Sequence, residues 1–302
     1  MLTVSLFPTL SMNILVTGAS GGFGKILIPR LIEDKNFRIR ALVHRAPSSV
    51  KDCESVTGDL NDIGSLEGAA RGMDTVVHLA ALTHARREED YTRVNAEGTL
   101  NLLQASRRTG IKRFIYVSSG AAHPRGGAYS ESKFRAEQYV RESGLSWVIL
   151  RPREIYGPGF REGIQQLIRW VRKSPFIPVI GTGRYPMSPV FVDDVIAATV
   201  AAIGRDDLEG KTFVLGGPEV MSFSELIDRL GRYYGARPVK LFVPAGLVRT
   251  TVDFLALFNV NVLTRDQISR LMCDKPVELD SPVGWIDYHP RSLEEGLSRC
   301  GD

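Results

Sequence analysis

The chain reads as an α/β protein, a doubly wound parallel sheet followed by a smaller C-terminal lobe. Two observations predict this. Short apolar runs alternate with amphipathic segments across the first half of the 302 residues, the pattern of βαβ units whose strands are covered on both faces. After about residue 152 the alternation stops, and joints rich in Pro and Gly at 152–159 and 175–189 separate shorter elements.

Taken in order, Asn13-Ile14-Leu15-Val16 is a strand, Gly22 to Ile32 a helix, and Ile39 to Val43 a second strand. A third strand precedes Gly58-Asp59-Leu60, and Thr75 to Leu79 is the next. Tyr91 to Arg108 reads as a helix, Phe114 to Val117 as a strand, Ser130 to Glu142 as a helix and Trp147 to Leu150 as a strand. The expected division is an N-terminal extension over 1–11, a sheet domain over 12–152, and a second lobe over 153–302 with some segments returning to the sheet. No repeat or low-complexity tract interrupts it.

Composition narrows the function classes. With 43% hydrophobic and 24% charged residues the balance is that of a folded globular protein. The net charge of +4 is spread in pairs such as Arg86-Arg87 and Arg107-Arg108, without the basic stripe and exposed aromatics that nucleic acid requires. Three cysteines, Cys53, Cys273 and Cys300, lie far apart and outside any CxxC spacing, so neither a disulfide framework nor a zinc site is expected and a reducing, cytoplasmic setting is the default. The five histidines, at 44, 78, 84, 123 and 289, have no metal-ligand spacing; no metal is expected. Residues 1–11 are apolar but lack the basic start and small-residue cleavage pattern of a signal peptide, and Met12 is an alternative start. Val252 to Leu263 is too short for a bilayer, which takes about 20 residues, so no membrane span is expected.

Thr17-Gly18-Ala19-Ser20-Gly21-Gly22-Phe23-Gly24 links the first strand to the first helix. Glycines at 18, 21 and 24 serve a tight turn, close approach of backbone to a pyrophosphate, and close packing of helix on strand, with the phosphate at the helix N-terminus. Standing at the head of a βαβ unit, this turn predicts a Rossmann-type dinucleotide site, which makes 12–152 the dinucleotide-binding domain and 153–302 a mostly substrate-binding lobe. NAD sites place a carboxylate at the end of the second strand for the ribose hydroxyls. Here Ala41-Leu42-Val43-His44-Arg45 has no acid and offers Arg45 to a 2′-phosphate, so NADP(H) is favoured over NAD(H). Asp59 is a candidate acceptor for the adenine amino group, with a turn cap as the competing role.

Tyr129 and Lys133 stand four apart and so share one helix face. A neighbouring ammonium favours phenolate and brings a tyrosine toward general acid/base use. Ser119, closing Tyr116-Val117-Ser118-Ser119, can supply a hydroxyl to the same reacting oxygen.

These motifs resemble those of the extended short-chain dehydrogenase/reductase family, in its NAD-dependent epimerase/dehydratase group. The resemblance covers nearly the whole chain: the turn from Thr17 to Gly24, His78-Leu79-Ala80-Ala81, Asn95 with Gly98-Thr99, Ser118-Ser119, Tyr129 and Lys133, Arg151-Pro152, Tyr156-Gly157-Pro158-Gly159, and Phe191-Val192-Asp193-Asp194. It implies that Tyr129 moves a proton at the reacting oxygen, that Ser119 polarises it, and that Lys133 tunes Tyr129 and holds the nicotinamide ribose. It also implies that Asn95 supports the arrangement behind Lys133, that Leu60, Leu79, Ala80 and Ala81 line the cofactor, and that Pro152 lies beside the nicotinamide. The helices around 91–108 and 130–142 would form a homodimer surface. The implied chemistry is hydride transfer between the cofactor and a secondary alcohol or ketone of a small-molecule substrate.

Three features depart from the family's sugar-nucleotide enzymes. Only nine residues separate Ser119 from Tyr129, Glu154 stands where Asn often meets substrate phosphates, and Met187 stands where Arg commonly clamps a pyrophosphate, with Arg153, Arg161 or Arg184 as possible substitutes. Gly120-Ala121 replaces the acidic pair of the dehydratases. An NAD(P)-dependent dehydrogenase or reductase leads, with a nucleotide-sugar epimerase and a non-catalytic NADP(H)-binding accessory or sensor protein as the alternatives. His123 reads as a plain loop residue, with contact to substrate as the alternative, Ile164, Leu167, Ile168 and Val171 as a core face, and Asp193-Asp194 as a helix N-terminal cap.

Overall fold

The computed structural model describes residues 11–44, 53–85, 87–244, 246, 286 and 288–301. The extension before residue 11, Arg45, Arg86, the apolar stretch 252–263 and Cys273 lie outside these. Seven parallel strands form the central sheet in the order β11-β6-β5-β4-β1-β2-β3. They are β1 (Met12–Thr17), β2 (Phe37–Val43), β3 (Glu54–Thr57), β4 (Thr75–His78), β5 (Arg113–Val117), β6 (Ser146–Pro152) and β11 (Lys211–Leu215).

The inner strands carry apolar runs, such as Ile14 to Val16 in β1 and Val148 to Leu150 in β6, because both faces of a parallel sheet are covered, while the edge strand β3 leaves Glu54, Ser55 and Thr57 exposed. Along β1, Ile14 and Val16 enter one hydrophobic cluster and Leu15 the other, as a two-residue side-chain period requires. On the first side Leu27 and Ile28 of α1 (Gly22–Glu33) join Ala198 and Ala202 of α7 (Val192–Ile203). On the second lie Leu66 of α2 (Ile63–Ala70), Leu102 of α4 (Gly98–Thr109) and Ala136 of α5 (Ala128–Arg141). The sheet order reverses between β1 and β4, the crevice where such folds bind ligands.

The helix expected from Tyr91 to Arg108 is not one regular helix. A short α3 (Glu88–Tyr91) passes into a π-helical stretch, Thr92–Glu97, before α4 begins. Such widened turns concentrate at functional sites, and Asn95 sits in this one.

Beyond β6 come β7 (Ile155–Tyr156), α6 (Ile164–Lys173), β8 (Phe176–Ile180), β9 (Pro186–Met187) and β10 (Val190–Phe191). After β11 follow β12 (Met221–Ser222), α8 (Phe223–Tyr233), β13 (Val239–Val243) and α9 (Leu293–Ser298). These strands make three two-stranded sheets, β10 with β7, β12 with β9 and β13 with β8. Ile164, Leu167, Ile168 and Val171 are all buried while Trp170 is 42% exposed, so α6 does present a core face. Asp194 is not a cap: α7 has no side-chain cap, and Asp194 instead accepts from the Arg291 backbone N–H at 2.9 Å and pairs with its guanidinium. Among the described residues no helix is long and apolar enough to cross a membrane.

Candidate active site

The turn after β1 is a cradle of bare backbone. Gly18 has φ +72°, and a Cβ there would lie 2.6 Å from the Ala80 nitrogen at the end of β4; one at Gly24 would collide with the Gly18 carbonyl. Gly21 is the N-cap of α1 and supplies no side chain to its first turn, which carries no acidic residue. Ser20, Gly21 and Gly22 are exposed and Phe23 is half-buried. An uncapped helix N-terminus opening on glycine backbone suits a pyrophosphate, so the residues present fit a dinucleotide. The loop from the second lobe reaches this turn, since a Cβ on Gly22 would lie 3.2 Å from the Gly159 carbonyl.

Asp59 has both carboxylate oxygens engaged by the protein. Oδ1 accepts from the backbone and side-chain nitrogens of Asn61, each at 2.9 Å, and Oδ2 lies 3.0 Å from His44 Nε2. These contacts, chiefly the Asn61 backbone bond, hold its pKa below the usual carboxylate value. Asp59 therefore caps a turn and ties down the end of β2. Leu60 is buried against Gly98, where an added Cβ would stand 2.8 Å from it. Leu79, Ala80 and Ala81 are half-buried at the end of β4.

Tyr129 and Lys133 both lie in α5 and are buried, 7% and 1% exposed. The Tyr129 ring meets Tyr91 edge-on at 5.8 Å. Lys133 Nζ donates to the Val117 carbonyl at 3.1 Å and lies 4.3 Å from the centre of the Tyr116 ring. Burial pushes Lys133 down to about 7, with the Glu137 charge opposing the shift. Ser119 follows β5, and its Oγ accepts from the Ala121 N–H at 3.1 Å. The loop from Ser119 to α5 is closed on itself: Gly120 N–H donates to the Pro152 carbonyl at 2.7 Å and His123 N–H to the Ser130 carbonyl at 3.3 Å. His123 Nδ1 accepts from the Arg125 N–H, so its ring serves that loop.

Asn95 joins three segments. Its Oδ1 accepts from Leu82 N–H at 2.7 Å, and its Nδ2 donates to the Leu82 carbonyl at 3.1 Å and to Ser132 Oγ at 3.0 Å. Ser132 in turn donates to the Tyr129 carbonyl at 2.7 Å. Sequence reasoning placed Asn95 behind Lys133 but did not single out Ser132, Thr17, His78 or Thr99 as parts of the same assembly. It also missed Glu137, a fully buried carboxylate on α5 that accepts from Ser118 Oγ at 2.6 Å and from Arg151 Nε at 2.7 Å. No local spacing marks Glu137 and Arg151 as partners, because they meet only when α5 lies on the sheet.

Two departures noted in the sequence acquire structural roles. Glu154 Oε2 accepts from the Ser188 N–H at 3.0 Å, and Met187 is buried in the core beside Met221 across the β9 and β12 pair. Arg153 packs against the glycines at 120 and 216, where added Cβ atoms would fall 2.8 and 3.3 Å from its side chain.

Burial pushes His78 down to about 3, with the Lys133 charge adding to the effect. The unfolded chain takes up that proton near pH 6.5 and the folded chain resists it. This part of the stability is thus complete above pH 6.5 and is lost as pH falls toward 3, by on the order of 5 kcal/mol. Urea unfolding of the wild type between pH 7 and 4 is expected to show a steeper acid loss than His78→Gln; parallel curves would refute the buried neutral ring.

A doubly wound sheet with a bare glycine turn at its switch point, and a buried Tyr and Lys one helical turn apart, defines a dinucleotide-binding enzyme of short-chain dehydrogenase architecture. The chain belongs to the NAD dependent epimerase/dehydratase family, whose model matches residues 14–216. It is 35% identical over 242 residues to the ceramide reductase of Caulobacter vibrioides, covering 76% of this chain and 73% of that protein. It is 29% identical to the 2-alkyl-3-oxoalkanoate reductase of Stenotrophomonas maltophilia, over 95% of this chain and 98% of that one. The fold is similar to that of dTDP-glucose 4,6-dehydratase from Streptomyces venezuelae, solved with NAD, at a TM-score of 0.76 and 22% identity over 96% of this chain and 95% of the other. The protein is accordingly an enzyme of the extended NAD(P)-dependent oxidoreductase and epimerase group.

Proposed function

We propose that this enzyme reduces a ketone to a secondary alcohol with NADPH, on a substrate bearing long alkyl chains rather than a nucleotide sugar. The observation that carries the reaction is the placement of Tyr129 and Lys133 on one buried helix, joined by a short closed loop to Ser119 at the sheet's carboxyl edge. The dinucleotide, when bound, supplies a hydride to the carbonyl carbon. Tyr129 Oη would give its proton to the carbonyl oxygen while Ser119 Oγ donates a hydrogen bond to that same oxygen. Lys133 would donate to the ribose hydroxyls, which favours its charged form, and that charge would hold Tyr129 ready to lose and regain its proton. Gly18, the residues from Ser20 to Gly24, Leu60, Leu79, Ala80 and Ala81 would line the dinucleotide, with Pro152 beside the nicotinamide.

The substrate class rests on two side chains. A phosphate clamp is missing where Met187 is buried, and Glu154 adds negative charge that would repel a pyrophosphate. Relatives named for a ceramide and an alkyl oxoalkanoate, both amphiphiles with alkyl chains, support the same reading. The test pairs a 2-alkyl-3-oxoalkanoate with UDP-glucose. The first should oxidise NADPH at the enzyme, and UDP-glucose should leave the unfolding temperature close to that of the protein alone, because only a ligand that binds the folded state stabilises it. A concentration-dependent rise with UDP-glucose and no NADPH oxidation with the ketone would overturn the assignment.

The NADP(H) choice rests on Arg45, which follows His44, the residue held by Asp59. NADPH is expected to bind more tightly than NADH in fluorescence titrations, with Arg45→Ala narrowing the gap. Equal affinities in the wild type would remove the preference.

A further inference from the structure

We propose that His78 is a positioning residue: as the neutral Nε2–H tautomer, it ties the dinucleotide turn to Asn95 through a one-directional run of buried hydrogen bonds, and the Asn95 side chain carries the connection on to the backbone of Tyr129. The tautomer follows from counting protons. Thr99 Oγ1 donates its single proton to the Asn95 carbonyl at 2.6 Å, so toward His78 Nε2, 2.9 Å away, it can only accept. The hydrogen is therefore on Nε2. Nδ1 is then bare and accepts from Thr17 Oγ1 at 2.6 Å, and the Thr17 oxygen accepts from the Ala80 N–H at 3.2 Å.

From Ala80 to the Asn95 carbonyl every proton points the same way, and the residue Asn95 joins this run to a second one that leaves from its side chain. The first run starts at Ala80, against which Gly18 is packed, and passes through Thr17, His78 and Thr99 to the Asn95 carbonyl. From the Asn95 side chain the second passes to Ser132 and ends on the Tyr129 carbonyl. Thr17, His78, Thr99, Asn95 and Ser132 are all nearly or wholly buried, so water offers no substitute partner when a link is cut. The imidazole also stacks on Tyr116 at 5.4 Å, the ring over which Lys133 Nζ lies. The rigid imidazole presents its bare nitrogen to Thr17 and its protonated nitrogen to Thr99 at the same time. The chain rests on the reading of the glycine turn as the dinucleotide site.

Two substitutions split the ring's roles. His78→Asn keeps a polar atom where Nδ1 faces Thr17 but none toward Thr99, and His78→Gln does the reverse. For His78→Asn, NADPH should bind within about twofold of wild type while the Leu82 amide, clamped by Asn95, exchanges with solvent roughly tenfold faster. In His78→Gln the Leu82 amide should stay protected, the Ala80 amide should exchange roughly tenfold faster, and NADPH should bind several-fold more weakly. Thr99→Val cuts the same link as His78→Asn with the side-chain shape kept, and should match it at Leu82 even if a His78 variant fails to fold. Nitrogen NMR of the wild type should find Nε2 protonated and Nδ1 bare at pH 6 and pH 8. Equal effects of both variants at both ends, no change at Leu82 in Thr99→Val, or the opposite tautomer would overturn the proposal. Were the wild type to bind neither NADPH nor NADH, the dinucleotide reading would fail, while the tautomer and the two amides would still decide the chain.

Discussion

Tyr129→Phe is expected to lower the rate of NADPH oxidation by about 10²–10⁴-fold, the usual worth of a positioned general acid, while NADPH affinity stays near that of the wild type. The substitution removes one oxygen from a side chain whose ring contact with Tyr91 is kept, so folding should be little disturbed. Lys133→Met should impair both turnover and binding, because the ammonium is assigned to the ribose as well as to the tyrosine. Single-turnover measurements with a ketone substrate separate these effects, since they read the hydride step without product release. Undiminished hydride transfer in Tyr129→Phe would refute its role. A wild type that binds NADPH tightly and oxidises it with no ketone would instead favour an accessory protein that retains the fold.

Glu137→Ala should destabilise the protein by about 3–5 kcal/mol, the cost of breaking a buried ion pair from one side. Glu137 is wholly buried and holds Arg151 through two bonds, at 2.7 Å and 2.5 Å, and it also accepts from Ser118 Oγ at 2.6 Å and from Arg141 at 3.0 Å. Removing it leaves the Arg151 guanidinium, itself 5% exposed, without a counter-charge. It also removes the negative group that partly offsets the burial of Lys133, so the Lys133 pKa should fall further below 7. Urea unfolding reads the first effect. The double variant Glu137→Leu with Arg151→Met should recover most of the loss, because two apolar groups leave no buried charge unpaired; a double variant as unstable as the single would sink that account.

The class of fold, the glycine turn and the pairing of Tyr129 with Lys133 are legible in the sequence because they rest on local signals, whereas Asn95 and Pro152 are candidates only through the family resemblance. Apolar runs of strand length, the glycines at 18, 21 and 24, and the spacing of Tyr129 and Lys133 are all properties of neighbouring residues. Buried parallel strands and a phosphate-binding turn leave the same marks whatever surrounds them. The π-helical turn at Asn95 was not legible, since the residues from Thr92 to Glu97 contain neither Gly nor Pro and nothing in them specifies a widened turn. Nor was the fate of Asp194, whose partner Arg291 is 97 residues away.

Which polar groups meet is set by packing between elements distant in the chain. His78 carries no spacing signal with Thr17 or Thr99, yet the sheet register sets His78 beside Thr17 on adjacent strands, and α4 brings Thr99 to the other ring nitrogen. Glu137, Arg151 and Ser118 come together in the same way from a helix and two strands. Asp59, a candidate for the adenine, also meets Asn61 and His44, which its neighbours in the chain do not announce. The physical reason is common to all of them. A buried polar atom must find a partner or cost the fold its desolvation, and the partner is supplied by whichever element packs against it, which no single stretch of chain can specify.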